Sequence, residues 1–209
     1  MQRIDLRIIK TRLRDQSKQY RREMSKEDKA ERDLKICRRF QSLYQYRQAK
    51  TILCYTSKAI EVDTYRIIQD ALDAGKQVAV PRCIDGTRLM RFYLIRSLED
   101  LEKGTFGVME PIVAQCQELT DFSGSICIVP ALGYDLEGYR LGYGAGYYDR
   151  FLSGYSGLKI GIIYAACVKP RLPRGKFDVP VNLLLTEDYL RSIKPSRRRT
   201  FYTVNRKTD

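Results

Sequence analysis

The order of apolar and helical patterns in this chain predicts an α/β protein with a mostly parallel sheet flanked by helices. Two stretches carry that prediction. Thr51 to Tyr55 is a short apolar run, the loop SKAIEVDT follows, a helical pattern passes through Ala71 and Leu72 to a stop at Gly75, and Gln77 to Pro81 is apolar again. Strand, helix and strand in that order imply parallel strands joined by a covering helix, and such sheets bind ligands beyond the C-terminal ends of their strands. The loop after Tyr55 lies there. Further on, the apolar run Ile126 to Val129 ends at Pro130, and glycines, aromatics and charges follow until Phe151 and Leu152 restore an apolar helical face. This reads as strand, long glycine-rich loop and helix.

The remaining elements follow in order. Ile4, Ile8 and Leu6, Ile9, Leu13 stand at helical spacing and predict a helix from about Arg3 to Tyr20. Lys10 and Arg14 are one turn apart on it, which by itself fits a solvated basic face. Ser25 is placed as the N-cap of a second helix, with Asp28 three residues on and Ala30, Leu34, Cys37 and Tyr44 along one side. Asp85-Gly86 marks a turn and Arg88 to Ile95 a returning strand. Ser97 to Lys103 reads as a short helix, and Lys159 to Tyr164 as a further strand.

Composition narrows the function. With 209 residues and 44% hydrophobic content, the chain suits one filled core. No stretch approaches the roughly 20 apolar residues of a membrane span, and MQRIDLRIIKTRLR has charges where a signal peptide needs an apolar region. Six cysteines lie scattered without a C-x-x-C pair, as in a reducing compartment. The expectation is a soluble cytoplasmic protein with no membrane partner. There is no histidine, which excludes Ser-His and Cys-His triads and His-containing zinc sites. The net charge of +13 is unevenly placed: residues 1–50 carry +9, residues 191–209 carry +6, and the 140 between them −2. A basic nucleic-acid-binding protein with gripping arms is therefore the alternative reading, although no helix-turn-helix or RNA-binding motif is present.

In PALGYDLEGYRLGYGAGYYDRFL, Pro130 to Leu152, Gly142, Gly144 and Gly146 let the backbone approach a ligand closely. A helix starting near Tyr147 adds the positive end of its dipole, an arrangement that holds phosphate. Asp149, inside that helix start, is within reach of a magnesium ion bridging phosphate oxygens, and Arg140 can fork onto a phosphate. The Walker pattern is absent, and G-x-G-x-x-G fails because its last position is Tyr147.

Taken together, Pro130, Gly133, Asp135, Gly138, Arg140-Leu141-Gly142, Gly144, Gly146-Tyr147-Tyr148-Asp149 and Leu152 resemble the signature of the 5-formyltetrahydrofolate cyclo-ligase family. The resemblance covers about residues 3 to 190. It implies a three-layer α/β fold, a Rossmann-like variant related to ribose-phosphate isomerase-like folds, with residues 1–190 forming one cyclo-ligase domain and 191–209 a basic C-terminal tail. It implies a monomeric enzyme that uses ATP and Mg2+ to close 5-formyltetrahydrofolate to 5,10-methenyltetrahydrofolate, releasing ADP and phosphate through a phosphorylated formyl intermediate. Preference for polyglutamylated substrate is left open. An ATP-dependent relative acting on another formyl or amide group is a further alternative.

The same resemblance distributes the residues. Lys10 and Arg14 match a K-x-x-x-R pair that reaches the ATP phosphates, joined there by Arg140, Leu141 and the backbone from Gly142 through Tyr143, Gly144, Ala145, Gly146 and Tyr147 to Tyr148. Lys10, Arg140 and Tyr147 take the catalytic roles. Glu61, in an E-V-x-T context, matches a folate-contacting glutamate, although alone it fits an exposed carboxylate near a helix start. Thr56, Phe106 and the loop Tyr143 to Tyr147 complete the substrate site, with Phe106 equally readable as a packed core residue. Asp149 and Asp178 are assigned to metal. Cys167 and Asn182 stand where the family usually carries other residues, and no role passes to them.

Overall fold

The computed structural model describes residues 6–104 and 107–194. Five helices occur among them: α1 (Leu6–Glu23), α2 (Lys26–Ser42), α3 (Tyr44–Gln48), α4 (Tyr65–Asp73) and α5 (Tyr147–Gly154). The main sheet contains β1 (Thr51–Leu53), β2 (Gln77–Cys83), β3 (Met90–Ile95), β6 (Gln117–Leu119), β7 (Ser125–Val129), β10 (Leu158–Ile162), β12 (Leu183–Leu185) and β13 (Leu190–Ser192). Their order is β13-β12-β10-β7-β1-β2-β3-β6. The five strands from β12 to β2 are parallel, and antiparallel strands close both edges. A hairpin pairs β4 (Leu101–Lys103) with β5 (Met109–Pro111).

From β1 the chain steps to β2 on one side and later returns to β7 on the other, so strand order reverses between β1 and β7. A crevice opens outside the carboxyl ends of strands at such a point. The central strands are apolar on both faces, as helix-covered parallel strands must be. Period two then deals alternate residues to two cores. Ile52, Val78, Ile126, Ile128 and Leu185 pack under α2, α3 and α4, while Leu53, Ala79, Cys127, Val129 and Leu184 pack under α5. The result is a three-layer α/β fold.

Several local expectations are revised. The Ser25 hydroxyl does cap α2, accepting the Asp28 N–H at 3.0 Å. The buried face of α2 is Asp33, Ile36, Cys37 and Phe40, however, and Tyr44 starts the next helix with its ring exposed. In α1 the expected apolar stripe is not the inward one: Leu6 and Ile8 are exposed, and the buried residues are Ser17 and Arg21. Arg21 Nη2 donates to the Ala131 and Leu132 carbonyls at 2.8 and 3.1 Å, so an arginine pins this helix. Residues 98–100 form only a 3₁₀ turn before β4 replaces the expected helix. β13 runs two residues into the segment expected as tail, and residues 195–209, with Arg197 to Arg199, lie outside the described residues.

The largest revision concerns the stretch after Pro130. It is folded, not an open loop: β8 (Gly133–Asp135) and β9 (Arg140–Leu141) form a hairpin, and β11 (Val168–Lys169) adds to β8 in parallel. Asp135 organises it. This fully buried carboxylate accepts the Glu137 and Tyr139 N–H groups, the Leu172 N–H and Arg174 Nη2, all at 3.0–3.1 Å. It thereby ties the segment leading to Asp178 onto the hairpin. Gly161 gives the hairpin its seat, because a Cβ there would fall 2.5 Å from Tyr134 Cζ.

Candidate functional site

A pocket of about 480 Å3 opens at the predicted edge, bounded by Tyr55 and Thr56 after β1, Pro81 and Cys83 of β2, and Pro130 after β7. It is lined by Lys10, Arg14, Thr56, Glu61, Arg140, Leu141, Gly142, Tyr143, Gly144, Ala145, Gly146, Tyr147, Tyr148, Asp149 and Asp178. The fold therefore brings together all the expected site residues except Phe106, which lies outside the described residues.

Lys10 and Arg14 form the same stripe of α1 as Ser17 and Arg21, so the contacts that bury Arg21 turn both cations toward the sheet. Lys10 Nζ lies 3.4 Å from Asp178 Oδ2, and Arg14 Nε donates to the Gly142 carbonyl at 2.9 Å. Gly144, with φ of 111°, and Gly146, with φ of 79° as the N-cap of α5, occupy left-handed conformations that side chains rarely adopt. The turn they permit presents the first turn of α5, with Asp149 in it, to the pocket.

Arg140 is rigid because it sits on β9. Its side chain is 4% exposed, Nη2 binds Asp149 Oδ1, and Nη1 donates to the Val179 carbonyl at 2.9 Å. Two of its five N–H donors are thus engaged. Asp149 and Asp178 each belong to a cation of the chain, Asp178 also accepting the Gly175 N–H. Among the described residues no group of three or more His, Cys, Asp or Glu could hold a metal. The donor set fits a hard cation carried chiefly by a ligand's phosphates, since Mg2+ commonly takes only one or two carboxylates from protein.

On the opposite wall Glu61 is 4% exposed, and both its oxygens are occupied: Lys58 N–H donates to Oε2 and Tyr143 OH to Oε1, each at 2.8 Å. Tyr143 thus reaches across the mouth from the glycine turn, with Lys58 Nζ 5.1 Å from its ring centroid. Burial and the Glu61 charge raise the Tyr143 phenol well above its ordinary range, so it stays a donor. Tyr147 OH donates to the Thr87 carbonyl at 3.2 Å, and the Tyr148 hydroxyl is buried with no hydrogen-bond partner. Thr56 holds the Met109 carbonyl at 2.6 Å.

Sequence reasoning missed Lys58 and Glu110. Glu110, 2% exposed, lines the pocket and accepts the Cys83 N–H at 3.3 Å, packed so close to Gly104 that a Cβ there would collide with it. Its signal was a glutamate before Pro111 in an otherwise apolar segment. Burial, then Glu110 and Asp85, push the Cys83 thiol up to about 11 from 9.0. Alkylation of Cys83 at pH 8 is accordingly expected to run about a hundredfold slower than that of an equally accessible ordinary thiol, because only the thiolate reacts. Peptide mapping after timed iodoacetamide treatment checks this, and a rate like that of a free thiol would contradict it.

A doubly covered parallel sheet, a pocket at its topological switch point and converging cations on a glycine turn define an α/β enzyme for an anionic ligand. Comparison with known proteins is consistent with that class and narrows it. The model of the 5-formyltetrahydrofolate cyclo-ligase family matches residues 8–187, and the chain belongs to this family of ligases. It is 28% identical over 187 residues to the 5-formyltetrahydrofolate cyclo-ligase of Mus musculus, covering 84% of this chain and 92% of that one. Identity to the enzyme of that name from Haemophilus influenzae is 32% over 145 residues, 67% of this chain and 77% of the other. In three dimensions it resembles the NMR structure of Aquifex aeolicus 5,10-methenyltetrahydrofolate synthetase, with a TM-score of 0.78 and 31% identity, covering 94% and 99% of the two chains. No helix among the described residues is long and apolar enough to cross a membrane.

Proposed function

We propose that this chain uses ATP, with Mg2+, to cyclise 5-formyltetrahydrofolate to 5,10-methenyltetrahydrofolate, releasing ADP and phosphate. The observation that carries the reading is the convergence of α1 on the glycine turn. Lys10 and Arg14 meet Asp178 and Gly142 across 168 and 128 residues of sequence, in one pocket with Glu61. The names of the relatives support the same activity.

In this reading the formyl oxygen attacks the γ-phosphorus and ADP leaves. N10 then adds to the activated carbon and loses its proton, and cleavage of the C–O bond expels phosphate. The first step depends on in-line placement and charge neutralisation, and the second is intramolecular; neither needs a protein nucleophile. Arg14 and Arg140 bind the phosphates with the backbone from Gly142 to Tyr148, and Lys10 neutralises the transferring group. Bound magnesium, which Asp149 and Asp178 would hold, supplies further charge neutralisation at the phosphate oxygens. Glu61, whose Oε1 accepts the Tyr143 hydroxyl, accepts the N–H donors of the pterin edge. Thr56 and Tyr147 border the ring.

The test is to mix the protein with 5-formyltetrahydrofolate, ATP and magnesium and follow the methenyl chromophore. A signal that needs both ATP and magnesium is expected. In Asp149→Ala its rate should fall by about a hundredfold or more, the scale on which one charge-stabilising group acts. No signal while ATP still binds would direct the search to other formylated substrates.

A further inference from the structure

Tyr164 follows β10 at the carboxyl edge of the sheet and is fully buried, yet its hydroxyl meets a residue of the pocket. That hydroxyl lies 2.7 Å from Asp33 Oδ1 of α2 and 3.2 Å from the Glu61 carbonyl, contacts that span 131 and 103 residues of sequence. Asp33 is buried in turn, and Lys29 Nζ holds its other oxygen at 2.6 Å. From α1 the Arg21 guanidinium stands 5.8 Å from the centre of the Tyr164 ring. The next residue is tied down as well, because the Ala165 N–H donates to Glu187 Oε2 at 2.8 Å. Tyr164 is therefore a rigid post between the two N-terminal helices and the loop after β1.

That loop carries Glu61, and its own bonds set its shape without setting its place. The Glu61 N–H donates to the Lys58 carbonyl at 2.9 Å, and the Lys58 N–H donates to Glu61 Oε2 at 2.8 Å. The Thr64 hydroxyl donates to the Tyr55 carbonyl at 2.6 Å, and the Thr64 N–H to Ser57 Oγ at 3.1 Å. All four bonds close within nine residues of sequence. Val62 seats the turn in the core beside α2, but apolar contact is non-directional. A hydrogen bond to the Glu61 carbonyl fixes the orientation of the peptide that follows it. The phenol has one proton; Asp33 takes the larger share and so holds the hydroxyl within reach of that carbonyl. Burial, then the Asp33 charge, raise the phenol above its ordinary range, so the hydroxyl keeps its proton. A carboxylate meeting adjacent N–H donors must lie close to their plane, and a small rotation of its backbone weakens both bonds together.

We propose that Tyr164 is a positioning residue for Glu61: locked by Asp33, it fixes the Glu61 backbone and so aims that carboxylate at the pterin edge. The inference rests on the reading of Glu61 as the folate contact.

Equilibrium binding tests it, with 5-formyltetrahydrofolate and ATP as separate ligands of the wild type, Tyr164→Phe, Glu61→Ala and the double variant. Binding is measured at a temperature where thermal denaturation shows each protein folded. Tyr164→Phe removes one oxygen and keeps the packed ring. It is expected to weaken folate binding about fivefold, the scale of one hydrogen bond, and to leave ATP binding within about twofold of the wild type. In the Glu61→Ala background the same substitution should change folate binding by less than about twofold, because the group it aims is gone. Equal weakening of folate and ATP binding in Tyr164→Phe would show a general structural role and overturn the proposal. Additive effects in the double variant would do the same. A loss of folate binding in Glu61→Ala with none in Tyr164→Phe leaves the folate reading standing and sinks this inference alone. Folate binding that is absent from the wild type, or unchanged in Glu61→Ala, removes the reading of Glu61 and this inference with it.

Discussion

Arg140→Ala is expected to lower kcat for cyclisation by about a hundredfold to a thousandfold, the range seen when one preorganised charge-stabilising donor is removed. Arg140 is nearly buried on β9, its plane fixed by Asp149 on one nitrogen and the Val179 carbonyl on the other. A guanidinium held this way needs no reorganisation when charge develops on a transferring phosphoryl group. Arg140→Lys is expected to recover only part of the rate, because an ammonium keeps the charge and loses the fork. Steady-state kinetics at a temperature where both variants are folded provides the check. An Arg140→Ala enzyme within threefold of wild-type kcat would remove Arg140 from the catalytic role.

The second large effect is structural. Asp135 touches no part of the pocket, yet Asp135→Ala is expected to destabilise the fold by about 3–5 kcal/mol, the scale for breaking a buried ion pair on one side. The substitution removes the acceptor of three backbone N–H groups and leaves the Arg174 guanidinium with only the more exposed Glu137. For a chain of this length the melting temperature should fall by roughly 10 °C. The segment from Leu172 to Asp178 also loses its tether, so the KM for ATP should rise even where the variant is folded. Thermal denaturation and nucleotide-dependent kinetics together test this. A shift of about 2 °C or less would show that neighbouring groups or water replace the carboxylate.

Legibility from sequence followed the range of the interactions involved. The cap at Ser25 and the start of α5 after Gly146 depend on residues within one or two turns, and both are where the local pattern put them. The hairpin inside the stretch after Pro130 was not legible. Its strands are three and two residues long, too short to show alternation, and they exist because Asp135 and β11 hold them from outside. The inward stripe of α1 was misread for a related reason. Helical periodicity assigns apolar residues to the core, whereas this helix docks through Arg21 on backbone carbonyls of the hairpin and leaves Leu6 and Ile8 exposed. Within the pocket, Lys58 lacked any distinctive spacing, and Glu110, although it stands in the segment GTFGVMEP, drew no role until the fold placed it there.

By itself, then, the sequence determined the order of parallel strands and covering helices and the glycine turn before α5. Each of these follows from periodicity, backbone freedom or side-chain chemistry along a short segment. Only the tertiary structure decided that Lys10 meets Asp178, that Arg14 meets Gly142, and that Arg140 is locked by Asp149 and Val179. Those relations depend on which strand lies beside which at the β1 and β7 switch point. Sheet order arises from burying two apolar faces at once, and no single segment of the chain encodes it.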